Sequence, residues 1–222
     1  MIASRSFTVA NGSFRKLRLL SRKGFGQRGA TQMAAIQMEF SSQTMVVGLG
    51  NHSMPNTRHS VGMAAVDRLC RHLKASWSKD GDCQGDVAIA TLDSCQRFIL
   101  LKPRLLMNIN GRSVIKAARK YKVASSDIYL VHDDLDRAFG KLSIKEGGSA
   151  GGHNGVKSST TALGTDIMPR LRIGIGRPTN QNAVIDYVLG GFSLSEKERL
   201  PHILEESTMK ILNHVKKRTD KT

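Results

Sequence analysis

Apolar positions along this chain recur at two spacings, and from residue 44 onward the two alternate. Residues 44–49 form a short β-rich run ending in Gly48-Leu49-Gly50, followed by a loop with Pro55. Over residues 60–73, Val61, Ala64, Ala65, Leu69 and Leu73 fall on one stripe at the helical period. Strand-like runs occupy 86–91 and 98–101, and a helix is predicted over 113–121. A second β-rich segment, 128–131, runs directly into His132-Asp133-Asp134. Residues 141–145 and 170–175 read as strands, with a helix over 154–163 between them. Two closing helices are predicted over 183–189 and 195–217, the second striped by Leu200, Ile203, Leu204, Ile211 and Val215. There is no internal repeat. Strands alternating with helices bury both faces of a sheet, so the pattern predicts a single three-layer α/β domain: a twisted, mostly parallel mixed sheet flanked by helices.

Residues 1–43 do not share this pattern. They are rich in Arg and Ser, with scattered apolar residues (Phe7, Phe14, Leu17, Leu20, Phe25) in place of a continuous apolar block. Seven basic residues (Arg5, Arg15, Lys16, Arg18, Arg22, Lys23, Arg28) stand against Glu39 alone, a net +6. That composition predicts an organellar transit peptide and a mitochondrial location rather than a secretory signal, which needs an apolar h-region. The alternative is a disordered basic tail that assists RNA binding, which leaves a cytoplasmic location open. The division is therefore 1–43 as extension and 44–222 as the folded domain.

Charge changes the picture next. The chain carries 34 basic and 18 acidic residues, net +16, so +10 belongs to the part after the extension. A folded body that basic favours a polyanionic partner, because neutralised phosphates release counterions; solubility alone is the other reading. With 5% aromatic residues, no base-stacking platform is advertised. The apolar runs fall far short of the roughly 20 residues that span a bilayer, so no membrane helix is expected. Cys70, Cys83 and Cys95 are odd in number, form no C-x-x-C pair and lack zinc-ligand spacing, and so read as free thiols.

The polar clusters fall at strand ends and helix starts: Asn51 after the first strand, His132-Asp133-Asp134 after another, and Gly151-Gly152-His153-Asn154-Gly155 before a helix. Open α/β sheets gather such points into one crevice. His59, just before the helix that follows the first strand, is placed there, with Asp133 as candidate orienting carboxylate. A neutral imidazole, with reference pKa roughly 6.5, can take a proton from water, which suits ester hydrolysis. Amide donors from Asn51, Asn108 and Asn154 can hold a substrate or an oxyanion, or else are turn residues; Asn154 in particular opens a helix and can be its cap. Four other patterns compete. Gly147-Gly148-Ser149-Ala150-Gly151 matches G-x-S-x-G, with Asp166 or Asp186 and then His202 in triad order, but no helix follows directly. Gly151 to Ser158 lacks the G-K-[ST] element of a P-loop, and Gly48-Leu49-Gly50 lacks the third dinucleotide glycine. His132, Asp133, Asp134 and Asp136 have no second His or Glu cluster to complete a metal site.

Six motifs, in order, carry a family resemblance: Val47-Gly48-Leu49-Gly50-Asn51; Thr57-Arg58-His59-Ser60-Val61-Gly62; Leu101-Lys102-Pro103 with Met107-Asn108-Ile109-Asn110-Gly111; Val131-His132-Asp133-Asp134-Leu135-Asp136; Gly151-Gly152-His153-Asn154-Gly155; and Arg170-Leu171-Arg172-Ile173-Gly174-Ile175-Gly176. Over residues 45–193 the chain resembles the bacterial-type peptidyl-tRNA hydrolases and looks like a eukaryotic member. The resemblance implies cleavage of the ester between a peptide and the 3′ ribose of tRNA, without metal or organic cofactor, by a protein with no membrane segment, expected to be a monomer. It implies His59 as base, Asp133 as its orienter and Asn108 at the reacting carbonyl or water, with Met107 lining the site. Asn51 and Asn154 are expected on the peptide backbone and His153 at the rim of the cleft. Lys145 and Arg172 are expected on tRNA phosphates, with Lys141 able to compensate for Ser143, which stands where a second phosphate-binding lysine is common. The loop from His52 to Arg58 is shorter than in most bacterial relatives, and Ser60 replaces an asparagine. Two rival functions remain: a non-catalytic RNA-binding splicing adaptor on the same fold, and a serine esterase using Ser149.

Overall fold

The computed structural model describes residues 42–220 except 93–95, so the extension expected over 1–43, apart from its last two residues, and Cys95 lie outside the described residues. The chain runs β1 (Ser42–Gly48), α1 (Val61–His72), β2 (Ser78–Asp80), β3 (Gly85–Leu92), β4 (Gln96–Pro103), α2 (Gly111–Tyr121), β5 (Ile128–Asp134), β6 (Leu142–Glu146), α3 (Asn154–Leu163), β7 (Pro169–Gly174), α4 (Val184–Leu189) and α5 (Leu194–Thr219). One seven-stranded sheet has the order β2-β3-β4-β1-β5-β7-β6. Its centre, β4-β1-β5-β7, is parallel, and antiparallel strands close both edges.

The central strands β1, β4 and β5 carry unbroken apolar runs because both faces are covered, whereas β7 interrupts its run with Arg170 and Arg172. Along β1, Val46 enters a core with α1 and α5, while Met45 and Val47 enter a second core with α2 and α3. Leu130 and Val131 of β5 divide between the two cores in the same way. The edge strand β2 was not visible in the apolar pattern because Ser78, Lys79 and Asp80 contain no apolar residue; polar residues on an edge also discourage pairing with other chains. β5 continues through His132 and Asp133, beyond the apolar run, because backbone pairing with Arg172 and Ile173 of β7 extends the ladder. α5 starts at a capping box formed by Ser193 and Glu196. Cys70 and Cys83 are buried free thiols, and burial pushes Cys83 up to about 11, which leaves both as packing residues.

One close approach fixes the functional end of the sheet. A Cβ on Gly62 would lie 2.2 Å from the Val131 carbonyl oxygen and 2.7 Å from that of Leu49, so the first turn of α1 rests on the ends of β5 and β1. Backbone cannot yield as a side chain can. Gly62→Ala is expected to lower the melting temperature by about 5–10 °C through overpacking, as thermal unfolding would report. An unchanged melting temperature would show that α1 can move away from the strand ends.

Candidate active site

Asp133 is the next-to-last residue of β5, with its side chain 3% exposed, and two imidazoles meet on its carboxylate. His59 lies in the turn Arg58–Ser60 that enters α1. Its Nδ1 is 2.9 Å from Asp133 Oδ1 and 3.1 Å from Oδ2. His153 Nε2 is 2.9 Å from the same Oδ1. The two rings are tilted neighbours, with centroids 4.9 Å apart.

The surroundings assign the tautomers. The Val156 N–H at the start of α3 points at His153 Nδ1, 3.2 Å away, so that nitrogen is an acceptor and Nε2 carries the proton donated to Asp133. His59 donates from Nδ1, which leaves its Nε2 lone pair as the basic position. His132 donates from Nδ1 to the carbonyl oxygen of Asp133, and burial, with His153 beside it, pushes it down to about 3, so it stays neutral. Burial alone would raise Asp133; the opposing pull of His153 and then His59 outweighs it and holds the carboxyl well below the usual carboxylate range.

Long-range contacts hold His59 in place. Arg58 is stacked 4.2 Å over the Tyr187 ring, donates to the Gly191 carbonyl at 2.6 Å and pairs with Glu196 at 2.8 Å. The turn that carries His59 is thereby fastened to α4 and to the cap of α5. On the other side, Ser60 Oγ accepts the Asn51 N–H at 3.1 Å.

A cavity of about 420 Å³ opens at this point, lined by His59, Asp133, His153 and Asn154, by Lys145, Arg170 and Arg172, and by Val184, Ile185 and Val188 of α4. Six residues expected in the site therefore share one crevice: His59, Asp133, His153, Asn154, Lys145 and Arg172. Asn51 and Met107 form a unit beside it, since Asn51 Oδ1 accepts the Met107 N–H at 2.8 Å. The Met107 sulfur presses on Gly155, where a Cβ would meet it at 2.4 Å and the His153 ring at 3.2 Å. Asn108 is exposed on the same turn, Met107–Ile109. Lys141 is exposed ahead of β6 and is not among the residues lining the cavity.

Three expectations are corrected. His153 is not at a rim: it is 9% exposed and shares the Asp133 carboxylate with His59. Asn154 does not cap α3, because the His153 ring does so from the preceding position. The Ser149 arrangement does not assemble: Ser149 Oγ accepts the Gly151 N–H at 3.3 Å, and His202, with its side chain 79% exposed, pairs with Glu206 on α5.

Sequence reasoning also missed Arg170. It is 1% exposed, donates to the Ser149 carbonyl at 2.7 Å and also to that of Gly148, and so pins the glycine-rich loop beside the site. An arginine inside a strand run was the only sign. Arg172 Nε donates to Ser143 Oγ at 3.1 Å and its Nη1 lies 3.5 Å from Asp134 Oδ2, while Lys145 Nζ donates to the Ser149 carbonyl at 3.2 Å. Donor atoms of His59, Asp133 and His153 lie within 4.8 Å of one another, the spread of a small metal site. The proton that Val156 forces onto His153 Nε2 makes the contact a hydrogen bond, and a metal would have to displace that proton.

A carboxylate-oriented imidazole facing a crevice rich in cations is an arrangement that can activate water by general base catalysis, the chemistry of a hydrolase. The peptidyl-tRNA hydrolase family model matches residues 45–222. The chain is 49% identical over 177 residues to a mouse protein named probable peptidyl-tRNA hydrolase, covering 79% of this chain and 86% of the mouse protein. A peptidyl-tRNA hydrolase of Clostridium botulinum is 39% identical over 176 residues, covering 78% and 89% of the two chains. The crystal structure of peptidyl-tRNA hydrolase from Acinetobacter baumannii superposes with a TM-score of 0.70 at 29% identity, covering 82% of this chain and 95% of the other. This chain belongs to the peptidyl-tRNA hydrolase family.

Proposed function

We propose that this protein hydrolyses the ester between a peptide and the 3′ ribose of tRNA, releasing the peptide acid and free tRNA. The observation that carries the reading is the His59 Nδ1 to Asp133 hydrogen bond at 2.9 Å, in a cavity that Lys145 and Arg172 also line. His59 Nε2 takes a proton from water as the oxygen attacks the ester carbonyl. The tetrahedral intermediate collapses with cleavage of the bond to the 3′ oxygen, and the imidazolium returns its proton to the departing ribose hydroxyl. Asp133 stabilises the imidazolium between these steps. Asn154 and the Nδ2 of Asn51, whose oxygen is occupied by Met107, supply amide donors for the peptide. The assay is peptidyl-tRNA cleavage in the presence of a chelator; no release at any protein concentration would overturn the reading.

The tRNA backbone meets Lys145 and Arg172, which are held in place by neutral oxygens and, for Arg172, by Asp134. Lys145→Ala is expected to weaken tRNA binding and to lower the slope of log affinity against log salt by about one. Equal slopes in variant and wild type would remove Lys145 from the RNA contact.

The basic, acid-poor extension supports import into mitochondria, followed by its removal. N-terminal sequencing of the protein isolated from cells tests this, and recovery of an intact N-terminus in a cytosolic fraction would refute it. The protein acts as a monomer on this reading; a dimer mass in light scattering would contradict that.

A further inference from the structure

We propose that His153 is a positioning residue for hydrolysis: by donating its Nε2–H to Asp133 Oδ1, it fixes the carboxylate in the rotamer that orients His59. This rests on the ester-hydrolysis reading and gives His153 a task other than substrate contact. The geometry has two halves. At one end of the ring, Nδ1 accepts the Val156 N–H at 3.2 Å and so anchors the imidazole to the first turn of α3. At the other end, Nε2 reaches Asp133 Oδ1 at 2.9 Å, the oxygen that also receives His59 Nδ1 at 2.9 Å.

A carboxylate at a strand end can rotate about its last bond. With His59 as sole donor, carboxylate and imidazole would turn together and the direction of His59 Nε2 would be loosely set. A second donor, fixed to a helix, removes that freedom, and held geometry is what a base must have before the transition state forms. Buried His132, with its centroid 4.6 Å from that of His153, packs against the other side of the ring. Asp134 is engaged elsewhere, its Oδ2 by Arg137 at 3.1 Å and Arg172 at 3.5 Å and its Oδ1 by the Asp136 N–H at 2.9 Å.

Two conservative variants separate the halves. An asparagine oxygen occupies nearly the position of a histidine Nδ1, whereas a glutamine amide nitrogen reaches nearly to Nε2. His153→Asn therefore keeps the cap on Val156 and loses the donor to Asp133; His153→Gln does the reverse. His153→Asn is expected to retain the wild-type melting temperature within about 2 °C while kcat falls on the order of tenfold to a hundredfold with KM within twofold. His153→Gln is expected to melt about 2–4 °C lower and to lose less kcat than His153→Asn, the donor to Asp133 being restored.

The downfield proton resonance of His59 Nδ1–H supplies a readout independent of turnover. It should persist in His153→Gln and broaden or move in His153→Asn. Wild-type kcat and an unchanged resonance in His153→Asn would overturn the proposal, as would losses of kcat that merely follow melting temperature in both variants. Absence of cleavage by the wild-type protein would instead defeat the hydrolase reading, and the resonance would still judge the role of His153.

Discussion

Replacement of His59 by alanine is expected to leave a folded protein whose kcat for peptidyl-tRNA cleavage is lower by roughly two to four powers of ten. The size follows from the role: among the described residues, no other lone pair near Asp133 is both basic and available. The ring nitrogens of His153 are engaged with Val156 and Asp133, and His132 is buried and neutral. The fold should survive because Asp133 keeps one donor, His153, and because Arg58 and Ser60 fasten the turn independently of the imidazole. KM should change little, since the proposed RNA contacts are made by Lys145 and Arg172 and not by His59. Circular dichroism and single-turnover cleavage check the two parts. Cleavage at the wild-type rate would remove His59 from the chemistry altogether.

Asp133→Asn is expected to produce a loss of similar size, about three powers of ten in kcat, with the substrate affinity retained. The introduced amide oxygen can still accept from His153 and His59, but the amide nitrogen then replaces Oδ2, which lies 3.1 Å from the His59 Nδ1 donor. Donor faces donor there, and the imidazolium formed during proton transfer loses its counter-charge. The equivalent substitution in Ser-His-Asp hydrolases costs about 10⁴ for the same reasons. Stability carries a second signature. Asp133 is held below its ordinary value of 3.8, so its ionised form favours the folded state fully above that pH, and the contribution declines as pH falls through and below it. The Asp133→Asn variant should therefore show a shallower loss of stability on acidification below about pH 4 than wild type. Parallel acid-unfolding curves would mean that Asp133 contributes no such linkage.

Much of the fold was legible because burial on both faces of a sheet leaves a direct mark. The continuous apolar runs that became β1, β4 and β5 cannot sit elsewhere, and the stripe from Val61 to Leu69 marked α1. The edge strand β2 left no mark because its backbone pairs while Ser78 and Lys79 are exposed and Asp80 bonds to Lys120 and Tyr121, so that no apolar residue is needed. The base and its carboxylate were legible for a topological reason: the parallel centre of the sheet brings the ends of β1 and β5 together, so residues just beyond them meet. The roles of His153 and Arg170 were not legible. A histidine before a helix looks like a rim residue, and an arginine within a strand looks exposed, until the partner 20 residues away or the loop folded over it is known.

The sequence by itself determined the layered architecture, the basic character of the domain and the pairing of His59 with Asp133. These follow from periodicity, from net charge and from where strands end, all of which are properties of the chain read locally. Tertiary structure alone decided that one carboxylate oxygen serves two imidazoles, that the His153 ring caps α3 and that Arg58 fastens the catalytic turn to α4 and α5. Such features depend on hydrogen bonds of fixed length between groups that the chain does not place by local periodicity, and only packing brings their atoms within bonding distance.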